Sequence, residues 1–319
     1  MTDRCLTGKE LEDYVVETLK FPMETLLKFP KYLQIETVNR CNSRCIMCGI
    51  DFDSKEKAVI SDELFEKTAV EIEHYGDHVE KVMLYLDGEP LLDDNIHLRV
   101  ERMKKAGVKV VNITSNASLL NPQRAERLIR AGLDEIHITL DSLKKEVYEA
   151  IRIGLNFDTV YKNIVGFVRM RDELNPALLI RIQMILQELN YPEVEDFKRH
   201  WDGILGALDQ IAIQKAHNWA NTADVMRFGD EDSINNVPCI AIWGTLVMHV
   251  NGDVPLCGMD TTTKVRNGNL NENTIAEIWK GDVYARVREG HLRSGRKSLE
   301  ICNGCTMWRE FKRELKSIS

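Results

Sequence analysis

Long apolar runs are missing from this chain: none approaches the eighteen or so residues that a bilayer-spanning helix needs, and residues 1–10, MTDRCLTGKE, carry no apolar h-region. Those two absences predict a cytoplasmic protein with no membrane partner. Positive charge is also in deficit. Against 50 Asp and Glu stand 42 Lys and Arg, a formal net charge of −8, whereas a nucleic-acid footprint asks for a basic excess. Nucleic acid is therefore not expected as a partner. No internal repeat and no low-complexity tract interrupts the sequence. What remains is 319 residues, 44% hydrophobic and 29% charged, which is room for one large α/β domain and a smaller appendage.

Cysteine is the residue type in excess. Eight are present, and they fall into groups: Cys41, Cys45 and Cys48; then Cys239, Cys257, Cys302 and Cys305; and Cys5 by itself. In a reducing compartment such groups are metal ligands more often than disulfides. Neither group has neighbouring histidines, and thiolate-only sets suit iron–sulfur chemistry. The first group has the spacing C-x₃-C-x₂-C, three thiolates for a cluster of four irons, which leaves one iron open to a small molecule. A zinc knuckle fits it poorly, because zinc closes its tetrahedron with a fourth nearby ligand.

Strand patterns at 33–37, 81–86, 108–114, 135–140, 178–186 and 210–214 alternate with helical patterns at 61–76, 95–107, 121–132, 144–173 and 193–201. Ser61 reads as an N-cap, and glycines at 76, 107 and 132 follow the last periodic residue of their segments. Six β/α units joined by right-handed crossovers curl toward a barrel, with ligands gathering at the carboxyl ends of the strands. The first cysteine group sits at such an end. Ahead of it, Leu11, Val15, Leu19 and Met23 recur four apart in an amphipathic helical region that Pro30 ends, and residues 217–236 are polar without a period. The expected division is 1–30, a helical extension; 31–215, the barrel; and 216–319, a smaller domain.

The cysteine loop after a first strand resembles that of the radical S-adenosylmethionine superfamily. The resemblance implies an α/β fold, a partial (β/α)6 TIM-like barrel, in which Cys41, Cys45 and Cys48 hold a 4Fe-4S cluster and S-adenosyl-L-methionine binds beside it. Residues 86–92, LDGEPLL, are similar to the family's Gly-Gly-Glu-Pro element, with Asp87 in place of the first glycine; Gly88, Glu89 and Pro90 would face the methionyl ammonium. Ser115 and Asn116 fall where the family places small polar residues against the ribose, although both are also good turn and cap residues. Ser142, and Arg152 in an Arg-x-Gly segment, resemble further cofactor contacts, with Arg152 set to pair with the cofactor carboxylate. Met47, Gly49 and Ile50 resemble the contacts that flank the third cysteine.

Residues 245–257 read as a hairpin whose Asn251-Gly252 turn is of type I′ and which returns Cys257 toward Cys239. Together with the later helix at 275–279 and the Cys302-Asn-Gly-Cys305 pair, this resembles the start of a SPASM extension in its shortened twitch form. The resemblance implies a second 4Fe-4S cluster closed by Cys239, Cys257, Cys302 and Cys305, suited to electron transfer; a structural Cys₄ zinc is the competing ligand set.

Among twitch enzymes the resemblance runs to the dehydrogenases of antibiotic biosynthesis that act on 2-deoxy-scyllo-inosamine and related aminocyclitols or sugars. It implies reductive cleavage of S-adenosylmethionine to a 5′-deoxyadenosyl radical, hydrogen abstraction from a small hydroxylated ring, oxidation of a secondary alcohol and a flavodoxin- or ferredoxin-type electron donor. A radical epimerase would need a thiol hydrogen donor, and only Cys5 is unassigned. A peptide-modifying maturase would need a leader-binding domain, and only thirty residues precede the barrel. A non-catalytic electron-transfer or zinc protein would cleave no S-adenosylmethionine. Arg181 and Gln183 on the fifth strand, and His217, Asn218 and Trp219 after the sixth, are the candidate substrate residues; no catalytic side chain is expected beyond the clusters.

Overall fold

The computed structural model describes residues 8–52, 56–222 and 237–307. The amino-terminal region forms two helices, α1 (Gly8–Leu19) and α2 (Met23–Lys28), not one. Lys20 turns to φ 58° and Pro22 follows; a residue before proline is driven out of the helical region, so the periodicity breaks before Met23. Leu11, Val15 and Leu19 share the buried face of α1.

After β1 (Tyr32–Ile35) and a short β2 (Arg44–Cys45) the chain alternates: α3 (Asp62–His74), β3 (Lys81–Met83), α4 (Ile96–Lys105), β4 (Val110–Ser115), α5 (Pro122–Arg130), β5 (Glu135–Thr139), α6 (Lys145–Ile151), β6 (Arg152–Ile153), α7 (Phe157–Leu174), β7 (Leu179–Leu186), α8 (Val194–Asp202) and β8 (Gln210–Lys215). Ser61 caps α3 by accepting from the Leu64 N–H, and Asn121 caps α5 by accepting from Arg124. Strands β3, β4, β5, β7 and β8 pair in parallel in that order, with Val82 opposite Val111, Ile113 opposite Ile136, Ile136 opposite Ile180 and Ile182 opposite Ile211. The arrangement is that of a partial TIM-like barrel. On β7 the alternation is strict: Ile180, Ile182, Met184 and Leu186 are buried while Arg181 and Gln183 are half-buried on the other face.

The stretch 144–173, which reads as one helical segment, is interrupted. Gly154 adopts φ 94°, a conformation that a side chain disfavours, and β6 occupies the break between α6 and α7.

The remaining elements are α9 (Ala241–Gly244), β9 (Thr245–Met248), β10 (Asp253–Val254), β11 (Gly268–Asn269), α10 (Ile275–Lys280) and α11 (Asp282–Ser294). The turn between β9 and β10 is not type I′. His249 and Asp253 close a three-residue loop, Gly252 donating to the His249 carbonyl, and only Gly252 has positive φ (87°), which is the type I turn with a left-handed glycine. A side chain at 252 would meet the Asn269 and Asn271 side chains, and these pull the loop onto β11 in place of a tighter turn.

The chain falls into two compact units, Ile35–Ala216 and Met1–Gln34 with His217–Ser319. In the second, Val15, Leu19 and Leu26 from α1 and α2 share a core with Ile240, Ile242, Trp243 and Leu256, and the Trp279 indole N–H donates to the Leu26 carbonyl at 2.8 Å. No described helix is long and apolar enough to cross a membrane.

Candidate cofactor and metal centres

Both cysteine groups gather, each within one unit. In the barrel unit, β2 and β6 pair antiparallel, so that Cys45 lies opposite Arg152 and Arg44 opposite Ile153, and Ile46 donates to the Ile151 carbonyl. The loop after β1 is thereby pinned to the segment that follows β5. Cys45 Sγ lies 3.2 Å from Ser43 Oγ and accepts from Arg152 Nη1 at 3.3 Å. Arg152 Nε donates to Asp141 Oδ2 at 2.5 Å; Asp141 is fully buried, and its other oxygen accepts the Ile185 N–H. Burial works against the guanidinium's charge, but Asp141 and then the Cys45 thiol outweigh it and hold Arg152 more firmly protonated than usual. The side chain expected to meet a cofactor carboxylate thus has a protein carboxylate and a cluster-loop sulfur as its partners.

The Gly88-Glu89-Pro90 segment packs against the approach to Cys41. A Cβ on Gly88 would stand 2.1 Å from the Val38 carbonyl oxygen and 2.7 Å from that of Arg40, and the Glu89 N–H donates to the Arg40 carbonyl at 2.8 Å. Only glycine fits there. Pro90 starts a short 3-10 turn that the buried Glu89 carboxylate caps through the Leu91 N–H. The same carboxylate accepts the Ser115 hydroxyl at 2.7 Å and the Asn116 N–H at 2.8 Å. Asn116 Nδ2 donates in turn to Asn42 Oδ1 at 2.9 Å, and Asn42 Nδ2 to Ser118 Oγ, so the wall after β4 is tied to the cysteine loop. Sequence reasoning brought Glu89, Ser115 and Asn116 to one place but missed Asn42, whose one signal is its position next to Cys41. Ser142 is fully buried and donates to Glu193, so its hydroxyl supports the loop after β7. Met47 and Ile50 are buried on either side of Cys48 and Gly49.

The residues fit a cluster and an adenosyl cofactor on three counts. The donor set is sulfur only. Burial pushes the Cys41 thiol up to about 12 and raises Cys48, a site in which metal ligation and proton release are linked. And the Tyr148 hydroxyl, on α6 and within the electrostatic reach of Arg152, Asp141, Cys45 and Glu89, is fully buried with no hydrogen-bond partner among the described residues. An orphaned donor of that kind beside such a constellation calls for a ligand atom.

In the other unit the second group converges. Burial raises the Cys257 thiol well above its ordinary value, and Cys239, Cys305 and Cys302 add to it in that order; Cys239 is pushed to about 12 by burial and then by Cys305. Cys257 thus feels the other three thiols, and Cys302 in turn feels Cys239 and Cys305. Gly304, with φ 81°, turns the Cys302–Cys305 segment, and Cys305 donates to the Cys302 carbonyl. His291 Nδ1 accepts the Cys239 N–H at 3.3 Å. Cys5 lies outside the described residues.

Of the expected substrate residues, His217 and Trp219 stack with ring centroids 5.1 Å apart, and Arg181 and Gln183 share one face of β7. Asn218 is turned elsewhere. It is buried, and its amide bonds the Gly304 carbonyl and the Thr306 N–H.

Residues 35–169 match the radical SAM superfamily and residues 239–306 match SPASM, an iron–sulfur cluster-binding domain. The chain is 33% identical over 138 residues to the GTP 3′,8-cyclase of Limosilactobacillus fermentum, which is 42% of this chain and 40% of that one. It is 34% identical over 175 residues to that of Heliobacterium modesticaldum, 53% of this chain and 50% of that one. It spans about half the length of the curated relatives it matches. Among solved structures it superposes on BtrN in complex with AdoMet and 2-DOIA with a TM-score of 0.61 at 18% identity, covering 88% of this chain and 94% of BtrN. On Streptococcus suis SuiB bound to precursor peptide SuiA the TM-score is 0.68 at 15% identity, covering 94% and 76%. At these identities the likeness is one of fold.

Proposed function

Because the chain belongs to the radical SAM superfamily and carries a SPASM domain, which together imply S-adenosylmethionine and two iron–sulfur clusters, we propose that it oxidises a secondary alcohol of a small hydroxylated ring, an aminocyclitol or a sugar. When bound, these groups supply a one-electron reductive cleavage to a 5′-deoxyadenosyl radical and a second site for the departing electron.

The chain's own residues divide the work. Cys41, Cys45 and Cys48 are the ligands of an open cluster, and Cys239, Cys257, Cys302 and Cys305 of a closed one. Arg152, held by Asp141, donates to the Cys45 sulfur and fixes the loop. Glu89 orients Ser115 and Asn116, Gly88 lets the backbone approach closely, and Tyr148 offers its hydroxyl to whatever binds there. The observation that carries the reading is the pairing of a three-thiol set with a four-thiol set: an incomplete set admits a ligand, and a complete one is built to exchange electrons.

A second reading draws on the GTP 3′,8-cyclases, whose sequence identity to this chain exceeds that of BtrN: a rearrangement of a nucleotide with no net oxidation. Anaerobic incubation with aminocyclitols, sugars and GTP, followed by mass spectrometry, separates the two. An alcohol oxidation yields 5′-deoxyadenosine with a product two mass units lighter; a rearrangement leaves the mass unchanged. Protein that takes zinc at Cys41, Cys45 and Cys48, or that leaves S-adenosylmethionine intact under a strong reductant, would overturn both.

A further inference from the structure

The inner wall of the barrel unit carries a polar patch that the cofactor-site residues do not use. Burial alternates along β5: Ile136 and Ile138 are fully buried, while Glu135 and His137 are half-buried on the opposite face, the one turned to the barrel interior. Cross-strand register sets Thr114 of β4 and Arg181 of β7 on either side of His137, and Asn112 of β4 beside Glu135. Thr114 directly precedes Ser115, whose hydroxyl the Glu89 carboxylate holds, so His137 lies just below the wall assigned to the cofactor. Glu135 is anchored. Lys81 of β3 donates to its Oε2 at 2.8 Å, and Asn112 Nδ2 lies 3.4 Å from the same oxygen. His137 Nε2 stands 3.7 Å from Oε2 as well, so the ring turns Nε2 to the carboxylate, and Nδ1 bonds none of the described residues. The Thr114 hydroxyl beside it is likewise buried with no hydrogen-bond partner among the described residues. Polar atoms left over on one interior wall call for a ligand. The charged groups around His137 are Glu135, Lys81 and Arg181, and burial outweighs the Glu135 charge to hold the imidazole below its ordinary value. The ring is therefore neutral near pH 7 and able to accept a proton.

We propose that His137 is the base that takes the hydroxyl proton of the substrate alcohol at Nδ1, with Glu135, fixed by Lys81, as its positioning residue. The proposal rests on the alcohol-oxidation reading and gives the proton of that reaction its destination. A hydrogen atom leaves the carbinol carbon for the 5′-deoxyadenosyl radical, the hydroxyl proton passes to His137, and the remaining electron goes to the second cluster. The C–O single bond becomes a carbonyl, and both lost hydrogens are accounted for. A deprotonated ketyl radical gives up its electron far more readily than a neutral hydroxyalkyl radical, so without the base the reaction stops after the first hydrogen.

The test is His137→Gln in the full chain carrying both clusters, incubated anaerobically with S-adenosylmethionine and the aminocyclitols and sugars under single-turnover conditions. Product two mass units lighter should fall about 100-fold, while 5′-deoxyadenosine forms as in the parent and an organic radical persists by electron paramagnetic resonance. Glu135→Gln should move the acid limb of the parent's pH–rate profile to lower pH, because the lost carboxylate is a group that favours the imidazolium. Product within about threefold of the parent in His137→Gln, or product and 5′-deoxyadenosine falling together at intact iron content, would overturn the assignment of the base. An acid limb that stays in place or moves up in Glu135→Gln would overturn the pairing, and this profile decides alone if His137→Gln loses its iron. A parent that cleaves S-adenosylmethionine but oxidises none of the alcohols, or yields only products of unchanged mass, fails the alcohol-oxidation reading first and the inference with it.

Discussion

Gly88→Ala is the sharpest probe of how the barrel unit is assembled. The new methyl would lie 2.1 Å from the Val38 carbonyl oxygen, 2.7 Å from the Arg40 carbonyl oxygen and 2.9 Å from the Val38 carbonyl carbon, all backbone atoms that no rotamer change can move. Relief requires the segment leading to Cys41 to shift, and with it the Glu89-to-Arg40 hydrogen bond. Overpacking of this kind costs about 3 kcal/mol, and the displaced hydrogen bond about 1 kcal/mol more. For a unit of this size each kcal/mol is about 2–4 °C, so the melting temperature should fall by about 10 °C. Gly166→Ala is the control: Gly166 lies on the exposed face of α7 with nothing within 4 Å of the added methyl, so helix propensity alone acts and the change should be neutral or stabilising by up to about 1 kcal/mol. Anaerobic calorimetry of chelator-treated protein reads both without interference from cluster loss. A Gly88→Ala protein melting within about 1 °C of the parent would refute the close approach.

Other outcomes follow from the buried charges. Asp141→Asn leaves Arg152 buried without its counter-charge while keeping an acceptor for the Ile185 N–H, and should lower stability in urea by about 3–5 kcal/mol; in a double-mutant cycle with Arg152→Gln the losses should fall well short of additive, and strict additivity would contradict the pairing. Burial opposes the ionised Glu135 carboxylate, yet His137, 3.7 Å away, and Lys81, 2.8 Å away, outweigh it and hold its pKa down to about 2. A depressed carboxyl stabilises fully above its unfolded value near 4.5 and loses that contribution as pH falls toward 2, so Glu135→Gln should flatten the acid limb of the stability profile below pH 4.5. Parallel limbs for variant and parent would contradict it.

The sequence by itself determined that the chain carries two sets of thiols, and it determined the outline of the fold. Two separate sets of thiols, one of three and one of four, are visible in the spacing, because ligand identity is a property of residue type. The alternation of β7 and the caps at Ser61 and Asn121 are equally local, fixed by period-two burial and by side chains that bond their own backbone. Packing decided the rest. Arg152 chose Asp141 and Cys45, the latter 107 residues away; Asn116 met Asn42 across 74 residues; Asn218 turned to Thr306 across 88. No local propensity encodes such pairings, since each depends on where two distant backbones cross. The same holds for the turn at Gly252, where Asn-Gly suits type I′ in isolation but the neighbouring asparagines on the β11 side select a three-residue loop. It holds as well for α1 and α2, amphipathic in the sequence without a stated partner, whose apolar faces find Trp243 and Leu256 more than two hundred residues later. An apolar face specifies that it must be covered, and only the tertiary structure specifies by what.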